Sequence, residues 1–327
     1  MVTVVVLWGV TAILTVFTAV RLTGIERGSP LVQLMAFTPY VAPAALVCAA
    51  VAGIAGATGP WVMCLLIWAA LTATVAPRLF AAKAASGGAR LRVLTANILY
   101  DRGDMTALVE RAKIDDVDVL AVQELTAQAL KALDAAGIET LLPYRVALPA
   151  GRGNGSGLFS RHPLTPTNPS TADASAAGPA RRHACGMLQA GATVHVPGAG
   201  PVLIESAHPC APRPRQVTCW AQNLADQPHA GGTIPQILLG DFNATLDHAP
   251  LRRLLRTGYR DAAAVRGLGL APTWPFRRWR RQRIVPWVTL DHVLADRRIG
   301  IGEVGTRTIP GSDHRGVLAE LHIPTPR

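Results

Sequence analysis

Hydrophobic and polar positions follow two regimes along the chain. From Met1 to Val20 there is no charged residue, and from Gly28 to Pro77 fifty consecutive positions carry none. A helix needs roughly 20 apolar residues to cross the hydrocarbon core of a bilayer. The pattern predicts three transmembrane helices, over Met1–Val20, Leu31–Ala55 and Trp61–Ala76, the last two folded back at Gly56–Pro60. Pro39 and Pro43 predict a kink in the second, which membrane helices tolerate because neighbours satisfy the freed carbonyls. A cleaved signal peptide fits the first run less well, since a basic start and a small-residue cleavage site are missing. A buried hairpin of a soluble protein fits fifty uncharged positions poorly.

Past a small-residue stretch, Ala81–Arg90, the period shortens. Strand-like runs at Leu91–Asp101 and Val117–Leu125 alternate with helical spacing at Asp104–Asp116 and Thr126–Gly137, the latter ending on a glycine cap signal. Further strands are read at "GLFSR", "CGMLQAGATVHV", "PVLIESAH", "QILLGDF", "TLDHVLAD" and "GVLAELHI", with helices at Arg215–Gln227 and Ala249–Gly258. Many strands with interspersed helices predict a layered α/β or α+β domain. The expected organisation is an anchor over 1–80, a linker over 81–90 and a folded domain over 91–327. The Pro-, Ser-, Thr- and Ala-rich loop Pro163–Arg182 is expected to be mobile.

Composition adds two constraints. The net charge is +11, but only three of the 32 basic residues are lysine (Lys83, Lys113 and Lys131), so the basicity reflects an arginine-favouring composition more than a particular partner. Basic residues cluster at Arg21 and Arg27 in the first loop and at Arg78, Lys83, Arg90 and Arg92 after the third helix. The positive-inside rule then puts the C-terminal domain in the cytoplasm and the N-terminus outside. Of five cysteines, Cys185, Cys210 and Cys219 lie in the folded domain, without a CxxC pair, which argues against zinc. Buried thiols are the expectation. A Cys210–Cys219 or Cys185–Cys210 disulfide would require a domain facing outward.

Candidate chemistry recurs at the C-terminal tips of the predicted strands: Asn97, Glu124, His208, Asp241 with Asn243, Asp291 with His292, and Asp313 with His314. Layered α/β folds build sites at such tips. Each alone has an ordinary reading as a cap, a turn or a core histidine. Together, in one strand order, they do not.

The ordered motifs "TANI", "QE", "SAHP", "GDFNA", "LDHV" and "SDH", with "GLFSRHPL" between, are similar to the endonuclease/exonuclease/phosphatase superfamily over Leu91–Ile323. The resemblance implies an α/β, four-layer sandwich of two packed mixed β-sheets flanked by helices, here preceded by the three transmembrane helices. It implies in-line hydrolysis of a phosphoester assisted by Mg²⁺, with Mn²⁺ an alternative. On that resemblance Glu124 is the principal metal ligand, supported by Asn97 and Asp313. Asp241 activates the attacking water, Asn243 holds it or a phosphate oxygen, and Asp291 orients His314. His314 and His208 offset charge on the phosphoryl oxygens, and His292 is structural. The usual threonine two residues before the first histidine is Ser206 here.

Just before Asp291, "APTWPFRRWRRQRIVPW" interleaves tryptophans with arginines, and Trp274, Arg277, Arg278 and Arg280 are candidate substrate contacts. Such a segment suits nucleic-acid phosphates and bases, an anionic lipid surface, or plain solvent. The sequence therefore reads as a membrane-anchored, metal-dependent phosphoesterase. A nuclease ranks first, and a lipid or small-molecule phosphodiesterase second. A catalytically dead scaffold is disfavoured because every role has a residue of the right type. A transporter is disfavoured because no span carries an ionisable group.

Overall fold

The computed structural model describes residues 2–151, 153–167, 181–182, 184–276 and 287–325. It begins with α1 (Val2–Thr23), a short α2 (Leu31–Met35), α3 (Thr38–Ile54) and α4 (Thr58–Val75), closed by a 3-10 turn at Ala76–Leu79. The second expected span is thus two helices. Pro30 caps α2 and Pro39 lies in the first turn of α3, where a missing N–H leaves no hydrogen bond unmade. Two helices, Val2–Thr23 and Thr58–Leu79, are long and apolar enough to cross a membrane, rather than the three expected; Thr38–Ile54 is apolar but has 17 residues. Side chains such as Val5, Ile13, Val47, Ile54 and Leu66 point outward and are exposed.

The remaining chain forms strands β1 (Ala89–Asn97), β2 (Val119–Gln123), β3 (Tyr144–Leu148), β4 (Ser156–Ser160), β5 (Leu164–Pro166), β6 (Arg181–Arg182) and β7 (Leu188–His195). They continue as β8 (Pro201–Ala207), β9 (Gln236–Asp241), β10 (Tyr259–Asp261), β11 (Asp291–Asp296), β12 (Gly300–Thr308) and β13 (Arg315–Ile323). One sheet runs β12-β13-β1-β2-β4-β3 and the other β10-β11-β9-β8-β7-β5, with β6 beside β7. Both are mixed: β1 and β2 are parallel, as are β8 and β9, and the other pairs are antiparallel.

Alternation explains the layers. Leu91, Val93, Val119 and Ala121 meet Ile204, Ile237, Leu239 and Val293 between the sheets. Their neighbours Leu94, Ala96, Leu120 and Val122 face outward against α5 (Met105–Ile114), α6 (Ala127–Ala135) and α7 (Ile138–Leu141). On the other side, Leu238, Phe242 and Leu294 pack against α8 (Val217–Ala225) and α9 (Ala249–Arg256). The result is the four-layer arrangement of two packed mixed sheets flanked by helices.

The N-terminal helices are seated on this domain. Asp247, fully buried, takes Arg21 at 2.8 Å and Arg78 at 2.7 Å. Glu26 accepts from the Ala249 N–H, and Val32 joins the core cluster of Trp220 and Leu251. The segment read as a linker is also tied down: Ala82 N–H donates to Val265 O and Ala85 N–H to Ile301 O, and Ala89 and Arg90 already belong to β1. Part of the loop expected to be mobile is strand β5, paired with β7; positions 168–180 lie outside the described residues.

The cysteine expectation changes as well. Cys185 and Cys219 are disulfide-bonded, and Cys210 is a buried free thiol, so neither of the two considered pairings forms. The turn Ala184–Gly186 meets α8, which brings together cysteines that are 34 positions apart.

Candidate active site

Alternation continues past the ends of the strands and aims the polar residues. Val93 faces the partner sheet, so Asn97 does too; Ile237 and Leu239 do, so Asp241 follows; Val293 and Ala295 do, so Asp291 follows. Glu124 breaks this rule. Gln123 is already inward, so an extended Glu124 would turn toward the helices, but its φ of 63° redirects the side chain inward. Asn243, with φ 48°, sits in the same sparsely populated region, which costs on the order of 1–3 kcal/mol per residue and concentrates at working sites. Glycine is required at position 240 because a Cβ there would lie 1.8 Å from Ala207 O on the neighbouring parallel strand.

Not every group sits at a C-terminal tip. Asp291 begins β11, and Asp313 and His314 precede β13. These strands run antiparallel to β9 and β1, so their starts meet the ends of their partners at one edge of the sandwich.

The groups form one network. Asn97 Nδ2 donates to Glu124 Oε1 at 3.1 Å and Asp241 Oδ2 at 3.0 Å, while its Oδ1 accepts from Leu99 N–H. His314 Nδ1 lies 2.9 Å from Asp291 Oδ2, and its Nε2 is 3.6 Å from Asp241 Oδ2. His208 Nε2 stands 3.7 Å from the same Asp241 oxygen and 3.9 Å from Glu124. Asp241 Oδ1 accepts the Asn243 N–H, an Asx turn that leaves Phe242 free to bury on the opposite face. Asn243 Nδ2 donates to Pro209 O. His292 lies apart from the cleft, bonded to Asp261 and Ala244 O.

Burial separates the titrations. Burial pulls the His314 pKa down, but Asp291 and Asp241 outweigh it and raise it to about 10. Burial lowers His208, so its imidazole is neutral near pH 7. Burial raises Asp241, and it pushes Glu124 up to about 7 against the opposing Asn97 hydrogen bond.

A divalent cation fits on one side of this network. Glu124 Oε2 and Asp313 Oδ1 are buried oxygens without a hydrogen-bond partner among the described residues, and hard oxygen donors suit Mg²⁺ or Mn²⁺. Asp241, Asp291 and His314 also bring ligand-type atoms within 4.8 Å of one another. A protonated His314 committed to Asp291 cannot ligate, so the Glu124 side is the better site. The three clustered domain cysteines are no alternative, because two of them are bonded to each other.

Glu124, His208, Asp241, Asn243, Asp313 and His314 line a cleft of about 650 Å³. Trp274 lines it and donates from Nε1 to Asp313 Oδ2; Arg277, Arg278 and Arg280 lie outside the described residues. The sequence reading missed several lining residues: Tyr100, Gly153 and Arg213 from the domain, and Gln33, Ala36 and Phe37 from the N-terminal helices. It also passed over Asp247 and His248, four and five residues after Asn243 at the end of the GDFN motif.

The family model described as the Endonuclease/Exonuclease/phosphatase family matches residues 94–314. Among solved structures, the chain is similar to an endonuclease/exonuclease/phosphatase from Beutenbergia cavernae, at 18% identity over 72% of each chain and a TM-score of 0.52. It is similar to truncated Caenorhabditis elegans TDP2 at 15% identity, covering 71% of this chain and 98% of that one, with a TM-score of 0.53. A humanized D. rerio TDP2 matches at 14% identity over 71% of this chain and 99% of that one, with a TM-score of 0.52. At these identities the likeness is one of fold. A search of curated proteins finds no match.

Proposed function

Taking as premise that the chain belongs to the endonuclease/exonuclease/phosphatase family, whose members are metal-dependent phosphoester hydrolases, we propose that it hydrolyses a phosphoester by direct attack of water while attached to a membrane. The observation that carries this is the Asp241 carboxylate, which is hydrogen-bonded to Asn97 and lies within 4 Å of His208 and His314 in one buried network.

Glu124 and Asp313 would hold a divalent cation, which would neutralise phosphoryl charge and polarise the phosphorus, and Asn97 keeps the Glu124 and Asp241 carboxylates together. Asp241, its basicity raised by burial, takes a proton from the attacking water, which Asn243 helps to orient. His314, protonated and fixed by Asp291, presents Nε2–H to a phosphoryl oxygen where negative charge grows. His208 adds a neutral donor on the other side. Trp274 positions Asp313 and offers a stacking face to the substrate.

Attachment to a membrane is supported by the two long apolar helices and by exposed apolar side chains around the N-terminal bundle. We place the catalytic domain on the oxidising, outer side, against the expectation from charge. The Cys185–Cys219 disulfide supports this, because such bonds persist outside the reducing cytosol. Two of the arginines behind the charge argument, Arg21 and Arg78, are also spent on Asp247 within the fold.

The test uses the full chain in detergent with Mg²⁺ and bis(p-nitrophenyl) phosphate. Metal-dependent release of p-nitrophenol that is lost in His314→Ala supports the reading. A folded protein that cleaves neither this ester nor p-nitrophenyl phosphate removes it.

A further inference from the structure

The cleft has two walls of different origin. Glu124, Asp241, His314 and Trp274 come from the sandwich, and Gln33, Ala36 and Phe37 come from the junction of α2 and α3. Gln33 is fastened to the cleft rim by a bond from Nε2 to Pro212 O, and its Oε1 is buried without a partner among the described residues. His248, on the loop that follows the Asp241–Asn243 turn, lies 2.9 Å from Val32 O through Nε2. Tyr40, one turn into α3, donates to Trp287 O.

These contacts fix which way the cleft faces. Arg21 at the end of α1, Val32 before α3 and Arg78 after α4 all touch the domain, so the domain sits on one end of the helical bundle. The tight connection Ala55–Ala57 between α3 and α4 is at the other end. Side chains along the bundle are apolar and exposed, as lipid contact requires. Around its domain-facing end, Leu34, Tyr40, Leu79, Phe80 and Trp287 are exposed as well, a mixture of aromatic and aliphatic groups that suits the interface of a bilayer. On the membrane-attached reading, a cleft with Ala36 and Phe37 in its wall opens at the level where lipid chains begin.

Resting on the phosphoesterase reading, we infer that the substrate is a phosphoester carried on a lipid. Its phosphate lies against Glu124, Asp241 and His314, and its hydrocarbon leaves past Ala36 and Phe37 toward the bilayer. The oxygen of water bonds to phosphorus, the phosphorus–oxygen ester bond breaks with its electron pair on the leaving oxygen, and one proton of the water ends on that oxygen. The products are an alcohol and a phosphate with one ester bond fewer; nothing is oxidised or reduced. A water-soluble ester of the same class would use the polar wall alone. A nucleic acid would have to bring a charged backbone against the apolar wall and the membrane surface.

The test is a series of p-nitrophenyl alkyl phosphodiesters, from ethyl to dodecyl, each below its micelle concentration, with full-chain protein and Mg²⁺. Burial of about four methylenes against the helical wall is expected to raise kcat/KM about 200-fold from ethyl to dodecyl. The dodecyl-to-ethyl ratio should fall toward one in Phe37→Ser and in Ala36→Asp. That ratio is read within each variant, so a partly unfolded preparation does not disturb it. A flat series, or a ratio that survives in both variants, overturns the inference while leaving the phosphoesterase reading intact. Failure to cleave even the ethyl ester strikes that reading instead. His314-dependent nicking of supercoiled plasmid faster than dodecyl ester cleavage would assign the cleft to nucleic acid and overturn the lipid assignment.

Discussion

At the scale of single residues, the site depends on pairs whose burial pushes their titrations apart. In the proposed mechanism His314 acts as the imidazolium, which Asp291 and Asp241 favour by raising its pKa to about 10 against the pull of burial. Its raised pKa means that the active form is complete below that value and lost above it. Asp291→Asn removes one of the supporting charges, so the alkaline limb of the kcat profile should move to lower pH, with a fall in kcat of about 10²–10⁴. A limb that stays in place would mean Asp291 does not hold His314. Glu124, raised to about 7, must release its proton before it binds a cation. Below about pH 7 the apparent Mg²⁺ dissociation constant should rise about tenfold per pH unit, and titration by calorimetry would show it. Glu124→Gln should flatten that dependence while weakening binding at every pH.

At the scale of elements, the junction between the helical bundle and the GDFN loop is the part the sequence hid. Asp247 bridges Arg21 from the last turn of α1 and Arg78 from the turn after α4. Asp247→Ala strands two buried cations, and such a loss costs about 3–5 kcal/mol; a thermal melt in detergent would register it. His248 accepts the Thr245 N–H and lies against Val32 O, and burial holds its pKa at about 4. The unfolded imidazole therefore takes up a proton first as pH falls from about 6.5 to 4, and about 3 kcal/mol of stability is lost across that window. Glu26, raised to about 7 by burial, works the other way, because its folded form binds the proton first between about pH 7 and 4.5. The acid loss should thus emerge clearly in Glu26→Gln, and a pH-independent melt in that variant would contradict the role given to His248.

Much of the sandwich could be read from the sequence because each strand declares its face by alternation, and the motifs sit where those strands end. Glu124 was recognisable by resemblance, but not the left-handed backbone that turns it inward. The kink expected at Pro39 and Pro43 is in the structure a break, with α2 ending at Met35 and α3 starting at Thr38; uncharged residues predict burial in lipid without fixing where a helix stops. The cysteine pairing and the wall of the cleft formed by the α2–α3 junction depend on contacts between distant segments, which no local pattern encodes.

At the scale of the whole molecule, the bundle and the sandwich are joined by core contacts, so removing the N-terminal helices would empty the Val32 position in the core and leave the Asp247 carboxylate without Arg21 and Arg78. Sidedness is testable without any substrate. Cells lysed in an alkylating agent should yield protein with three of its five cysteines modified, since two are disulfide-bonded. Five modified cysteines would place the domain on the reducing side. The most direct test of the catalytic claim is the Mg²⁺ titration of bis(p-nitrophenyl) phosphate hydrolysis by full-chain protein and by His314→Ala side by side. The structure leads us to expect saturable, metal-dependent turnover that drops by about 10²–10⁴ in the variant. Equal rates in the two proteins would contradict the assignment of this cleft as the place where the phosphoester is cut.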